Sequence, residues 1–440
     1  MYNLSQNLGF FWLFFSIKRK QPQSPAYKRQ MLKIVLLIWI VVCFLGLPAL
    51  AKYGGGSGTV NDPYLIYSAE QMNAIGINLT DWDKHFKLMD DIDLSTFSGS
   101  TFNIIGQWVV WGSPDNKPFS GIFDGNGKII SNFSCTFTDR DGIGLFGYVR
   151  GHIKDLGLSK PNVSGQGINI GSLVGYLDEG TISGCYAKGA RVTGGSAVGG
   201  LVGLNDGKLA NCYSSGQIWG DAYVGGLVGL VGPGFVTNCY ATANVSGNRN
   251  VGGLAGKTDH ETSTITDCYA TGPVSGDNYV GGLIGQIERG QIAKCYSAGS
   301  VSGYQDVGGL IGLVRLQAPV WNCFWDIETS GQLTSADGTG KTTAEMQTLS
   351  TFTSAGWDFF STWTICEGTN YPVLLWQIPA ADFRCPDGVS IVDFAWFAKH
   401  WRQNNCNPSN YYCDDVDFDH SGSVDFLDLA IFARDWLAGL

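Results

Sequence analysis

The residues best spaced for chemistry lie near the end of the chain. From Asp417 the sequence reads Asp-Phe-Asp-His-Ser-Gly-Ser-Val-Asp-Phe-Leu-Asp. Counted from Asp417, side-chain oxygens fall at positions 1 (Asp417), 3 (Asp419), 5 (Ser421), 9 (Asp425) and 12 (Asp428). Gly422 stands at position 6, and Ser423 at position 7 offers its carbonyl. Such spacing wraps hard oxygen donors around Ca2+, and the glycine permits the sharp turn. Asp rather than Glu at position 12 departs from the usual EF-hand. The competing reading is an Asp-rich turn that caps a helix. A weaker copy lies 35 residues upstream, from Asp382 to Asp393. There Arg384 and Pro386 replace two donors and Gly388 is displaced by one, leaving Asp382, Asp387, Ser390 and Asp393.

Each loop must be held by the helix that follows it. Asp393–Trp401 and Asp428–Trp436 match at the same offset, with apolar residues at helical spacing. Residues 381–440 hold ten Asp, no Glu and four basic residues. Cys406 and Cys413, between the two units, are expected to form a local disulfide in a secreted chain.

Elsewhere the residues argue against catalysis. The acidic residues between 166 and 325 fall mostly in variable turn segments, and none is seen to repeat in a line down one face. Asp90-Asp91-x-Asp93 is the one tight carboxylate group, and a turn role is expected for it. The histidines share no spacing. No catalytic residue is assigned.

The bulk of the chain is a scaffold. Of 440 residues 61 are glycine, and only 15% are charged. That balance excludes coiled coils, which need Glu, Lys and Arg, and points to turn-rich β structure. Val-Gly-Gly-Leu-x-Gly starts at Val198, Val224, Val251, Val280 and Val307, with a weaker copy at Ile170. Cys-Tyr follows at Cys185, Cys212, Cys239, Cys268 and Cys295, and Cys323-Phe324 closes the series. The leucines recur every 26–29 residues. An apolar residue precedes each cysteine by three, an odd offset that needs a corner to bring both inward. The residue just before the cysteine is Gly, Asn or Asp in five of six copies, types suited to a left-handed corner; Lys294 is the exception. One coil per repeat, stacked in parallel, explains the pattern. The cysteines then form a buried, reduced column. The partners Tyr186, Tyr213, Tyr240, Tyr269 and Tyr296 form a second column. It either supports the coil by stacking or, facing out, binds glycan or protein.

Weaker coils extend upstream to about residue 86. Ser68-Ala69-Glu70-Gln71 predicts a short capping helix stopped at Gly76, over an otherwise open strand edge. Thr342-Thr343-Ala344-Glu345 predicts a second at the far end.

The phrases VGGLVG, NCYATANVSG and FSGIFDGNGK resemble the GLUG-motif family of bacterial secreted and surface proteins. The resemblance is strict over about 165–325 and looser back to about 60. It implies a right-handed parallel β-helix (solenoid), with cell-surface adhesion among the family's associations. Metallopeptidase halves also accompany such repeats, but His260-Glu261-Thr262-Ser263-Thr264 lacks the H-E-x-x-H zinc motif. The paired loop–helix tail resembles dockerin type I domains, small all-α modules that bind calcium and dock onto cohesin domains. It departs from them at loop positions 10 and 11, which are Ile391-Val392 and Phe426-Leu427 where polar residues are common. Either these face a different partner or they pack onto the chain's own solenoid.

The organisation expected is a leader at 1–51, a cap and degenerate coils at 52–165, repeats at 166–325, a cap or linker at 326–380 and the tail at 381–440. Within the leader, Lys33, an apolar run from Ile34 to Leu47 and Ala49-Leu50-Ala51 form a signal-peptide pattern, with cleavage near Ala51 and a true start at Met31. Removing 1–51 takes away six basic residues and changes net charge from −10 to −16. Such acidity argues against nucleic acid as a partner. The function expected is a secreted or surface module, non-enzymatic, binding glycan or protein, with a calcium-dependent tail for a cohesin-like protein or the cell envelope. The alternative is a polysaccharide hydrolase or lyase recruited by that tail. A groove with converging carboxylates would favour the alternative.

Overall fold

The computed structural model describes residues 52–316, 318–383 and 388–438. The leader, its cleavage position, Asp387 and Cys385 lie outside them.

The repeats form a parallel β-solenoid. Seven strands stack in register on one face: Phe146–Val149, Val174–Leu177, Val202–Asn205, Val228–Val231, Ala255–Thr258, Ile284–Ile287 and Ile311–Val314. Val174 lies beside Val202, Val202 beside Val228 and Val228 beside Ala255, like on like along the axis. A second face carries the residue three before each cysteine, in Thr181–Ser183, Lys208–Ala210, Phe235–Thr237, Thr264–Thr266, Gln291–Ala293 and Val320–Trp321. It continues upstream through Ile122–Ser131 and His85–Leu88 to Tyr64–Ile66.

The core is a set of inward columns. Leu173, Leu201, Leu227, Leu254, Leu283 and Leu310 are wholly buried. So are Ile182, Leu209, Ile265 and Ile292, and all six repeat cysteines, which are free thiols. Burial pushes the Cys185 thiol up to about 12, so it stays protonated and inert. Each fully buried leucine contributes about 1.5–3 kcal/mol by leaving water.

The corner before each cysteine is left-handed throughout. Gly184, Asn211, Asn238, Asp267, Lys294 and Asn322 have φ between +51° and +61°. Lys294 therefore sits where L side chains are disfavoured by about 1–2 kcal/mol. Lys294→Asn is expected to raise stability by about 1 kcal/mol, read as a rise in the denaturation midpoint; an unchanged or lower midpoint counts against the corner. A second left-handed corner was not legible from residue type. Asn169, Ala197, Tyr223, Asn250, Tyr279 and Asp306, each just before a repeat Val or Ile, have φ of +51° to +61°. Ala and the two Tyr are poor predictors of that conformation.

The repeat glycines sit where a β-carbon would clash with nearby backbone. At Gly229 a β-carbon would lie 2.3 Å from the Ala197 carbonyl carbon, and at Gly252 one would lie 2.1 Å from the Ala255 oxygen. Neither has a positive φ. They are glycine because other backbone passes too close for a β-carbon, across the 252–255 corner at Gly252 and against Ala197 at Gly229.

At the start, helix α1 (Ala69–Ile77) begins at Ser68, whose hydroxyl accepts the Gln71 amide hydrogen. Gly76 does not stop it: the helix runs one residue further, and Gly76 lies against Asn103, where a β-carbon would meet the carbonyl oxygen at 1.9 Å. Asp91 and Asp93 take the turn role expected, accepting from Ile129 and from Ser95 and Asn132. At the far end Thr342 and Glu345 close a capping box over α2 (Thr343–Met346). The chain then folds back along the tyrosine column rather than simply covering the last coil. Beyond it lies a small helical domain of α3 (Ile391–His400) and α4 (Phe426–Ala438), around Phe397, Val416, Val424 and Phe432.

Candidate functional site

Three places hold the candidate residues. The first is the 417–428 loop. Asp417, Asp419 and Asp428 each bring a carboxylate oxygen within 4.8 Å of the others. Asp417 and Asp428 are buried and Asp419 is exposed. The backbone organises them. Ser421 and Gly422 donate N–H to Asp417, and Phe418 donates to Asp428 at 2.7 Å. Asp425 donates N–H to the other Asp428 oxygen at 2.8 Å. Gly422 has φ +95°, as the tight turn requires. The Ser421 hydroxyl reaches the Ser423 carbonyl, and Asp425 holds the Leu427 N–H. Burial pushes Asp417 up, while hydrogen bonds from Ser421 hold Asp419 down. Carboxylates this close repel unless a proton or a cation lies between them, and oxygen donors of this kind fit calcium.

The upstream copy keeps the same skeleton. Phe383 and Ser390 donate N–H to the two Asp393 oxygens, as Phe418 and Asp425 do to Asp428. Gly388 donates to Asp382 and has φ +100°. Its remaining candidate, Asp387, lies outside the described residues. Between the units Cys406 and Cys413 are joined in a disulfide. The apolar doublets at positions 10 and 11 are exposed: Ile391 by 68%, Val392 by 56%, Phe426 by 75% and Leu427 by 63%. Packing onto the solenoid, one of the two expectations for them, is therefore not what they do.

The second place is the tyrosine column. Tyr186, Tyr213, Tyr240, Tyr269 and Tyr296 stack with ring centroids 4.8–5.0 Å apart and planes within 8°. Two of these rungs are not open to a ligand. Tyr269 and Tyr296 are buried beneath Trp357, Trp363 and Leu374. The Tyr296 hydroxyl donates to the Pro372 carbonyl at 2.7 Å. Three indoles of the returning segment donate to corner residues of the solenoid: Trp357 to the Asn322 carbonyl, Trp363 to the Asp267 carboxylate and Trp376 to the Asn238 carbonyl. Along these coils the column is a seat for the chain's own segment. Tyr186 and Tyr213 remain partly exposed.

The third place corrects the view that no carboxylates line up. Asp178, Asp206, Asp259 and Glu288 occupy one column, each donating its N–H to a residue of the preceding coil. Arg150 and Arg315 stand at its ends, and Gly232 interrupts it. All lie five residues after a repeat leucine. That offset is the signal that would have found them; uneven coil lengths and Gly232 hid it. Tyr148 and Arg150 donate to Asp178 at 2.5 and 2.7 Å, and Tyr176 donates to Asp206 at 2.7 Å. Burial pushes Asp206 up to about 6 and raises Asp259. With Asp178 and Asp206 each held by a tyrosine hydroxyl, the column does not favour the hydrolase or lyase alternative.

Together these define a mainly β protein, a parallel solenoid of GLUG motif repeats with a small helical domain behind it. The GLUG motif matches residues 166–193, 194–218 and 247–275. Halomucin from Haloquadratum walsbyi is 36% identical over 153 residues, which are 34% of this chain and 2% of that protein. A protein of Evansella cellulosilytica, provisionally named as a Gly-rich membrane protein, is 32% identical over 149 residues, 33% of this chain and 16% of its own length. The chain thus spans only a small part of either relative. A crystal structure from Bacteroides ovatus, provisionally named as an immunoglobulin A1 protease, aligns with a TM-score of 0.48 at 23% identity, covering 74% of this chain and 96% of that one.

Proposed function

We propose that this chain is a secreted or cell-surface binding module without catalysis, attached through a calcium-dependent docking tail. The observation that carries the tail reading is the matched pair of exposed apolar doublets, Ile391-Val392 and Phe426-Leu427, presented by two duplicated loop–helix units. Exposed apolar side chains at equivalent positions of two copies form a surface that gains from being covered. The partner expected is a cohesin-like protein or another component of the cell envelope. Loop 417–428 would hold the calcium through Asp417, Asp419, Ser421, Ser423, Asp425 and Asp428. The 382–393 loop is a second, weaker candidate through Asp382, Asp387, Ser390 and Asp393. The Cys406–Cys413 disulfide suits an oxidising compartment.

The test is retention on envelope fractions of the source cells. The mature chain is expected to be retained in millimolar calcium and released by chelator. The double variant Ile391→Asp, Phe426→Asp is expected to lose about tenfold or more in affinity, the cost of placing a charge in each apolar contact. Equal retention of the variant, or indifference to chelator, would defeat the docking reading.

A further inference from the structure

The carboxylate column forms one wall of a groove of about 550 Å3. Its floor is the outward side of the glycine-bearing strands, where Tyr176, Leu204 and Leu230 succeed one another. The opposite wall is the second left-handed corner, Asn169, Ala197 and Tyr223. Trp111 lines it too, 63% exposed, with its ring held edge-on by Trp108 and Tyr176 at centroid distances of 4.9 and 5.3 Å. An exposed tryptophan braced in this way presents an apolar plate that has already lost its rotamer freedom.

One polar group here is unaccounted for. Asn169 is 3% exposed, and its side-chain Nδ2 has no hydrogen-bond partner. A buried amide left unpaired is costly and calls for an explanation. Asn169 lines the groove wall at the left-handed corner, with its amide nitrogen enclosed.

We propose that this groove binds an extended, uncharged pyranoside chain. The inference rests on reading the solenoid as a binding module, and it names the ligand class and the site. Sugar rings offer a C–H face for Trp111, and hydroxyls that donate to Asp206 and Asp259. Successive coils repeat at about 4.8 Å, near the length of one extended sugar residue, so each coil can face one ring. The charges argue against other occupants. Acidic walls repel uronates and sulfated chains. A basic peptide would seek ionised carboxylates, yet Asp178 is already paired with Arg150 at 2.7 Å.

Affinity electrophoresis of the mature chain tests this, in gels containing a soluble neutral glucan, xylan, mannan or galactan, each run with chelator. Retardation is expected in at least one gel and is expected to survive chelation, which separates it from docking by the tail. Trp111→Ala is expected to weaken it by about tenfold or more. Four results would overturn the inference. They are no retardation in any neutral gel, unchanged retardation in Trp111→Ala, retardation only by polyanionic polysaccharide, and capture of a basic peptide such as polylysine at unchanged strength in Trp111→Ala. If neutral glycans fail while calcium-dependent envelope retention persists, the groove assignment falls and the docking reading stands.

Discussion

Saturating calcium is expected to slow amide hydrogen exchange across residues 417–438 of the full chain by about a hundredfold. That figure follows from linkage: a ligand at a hundred times its dissociation constant stabilises the state it binds by about 2.7 kcal/mol. The effect should be local. The small domain has its own core around Phe397 and Phe432, so its opening need not involve the solenoid. Asp428→Ala should abolish the response, because Asp428 both faces the proposed ion and accepts N–H from Phe418 and Asp425. Asp428→Asn separates these roles, keeping an acceptor while removing a charge. It should retain more stability in chelator than the alanine variant and still respond weakly to calcium. No calcium-dependent protection in the parent chain would remove the metal assignment. The response should fade as acid protonates the carboxylates, and Asp417, whose proton affinity is raised by burial, should be lost early.

Gly252→Ala is expected to destabilise the solenoid by about 3 kcal/mol or more, at the upper end of what overpacking costs. The added carbon would fall 2.1 Å from the Ala255 oxygen and 2.7 Å from the Gly285 nitrogen, both backbone atoms that cannot rotate away. Gly331→Ala is the control. It carries φ +67°, and nothing lies within 4 Å of the point a β-carbon would occupy, so only the left-handed penalty of about 1–2 kcal/mol applies. Urea denaturation followed by circular dichroism compares the two. Equal losses would mean that conformation, not close backbone contact, fixes the repeat glycines.

The solenoid was legible because its periodic signals agree. Leucine, cysteine and corner residue recur in phase, and each is explained by one coil per repeat. What was not legible involves distances the repeat does not encode. The carboxylate column was hidden by unequal coil lengths and by Gly232. The second corner was hidden because Ala197, Tyr223 and Tyr279 adopt φ values their side chains disfavour. The tyrosine column was visible, but not its burial, since Trp357, Trp363 and Trp376 arrive from far along the chain. The turn at 417–428 was legible from spacing alone, because a contiguous turn carries its geometry in local sequence. Its unpaired apolar doublets could be seen but not placed; only the fold shows them exposed. Asn169 carried no signal, because a buried amide without a partner is a property of surroundings and not of residue type.

The returning segment also decides how the molecule bears load. It meets the coil of Asn322 through Trp357, then that of Asp267 through Trp363, and leaves beside Asn238 through Trp376. Were the tail anchored as proposed, tension on it would enter the solenoid several coils in from its end. The terminal coil is not the first to be peeled. The indoles and the tyrosine seat are loaded in shear together, and shear across several bonded coils yields at higher force than unzipping one strand at a time.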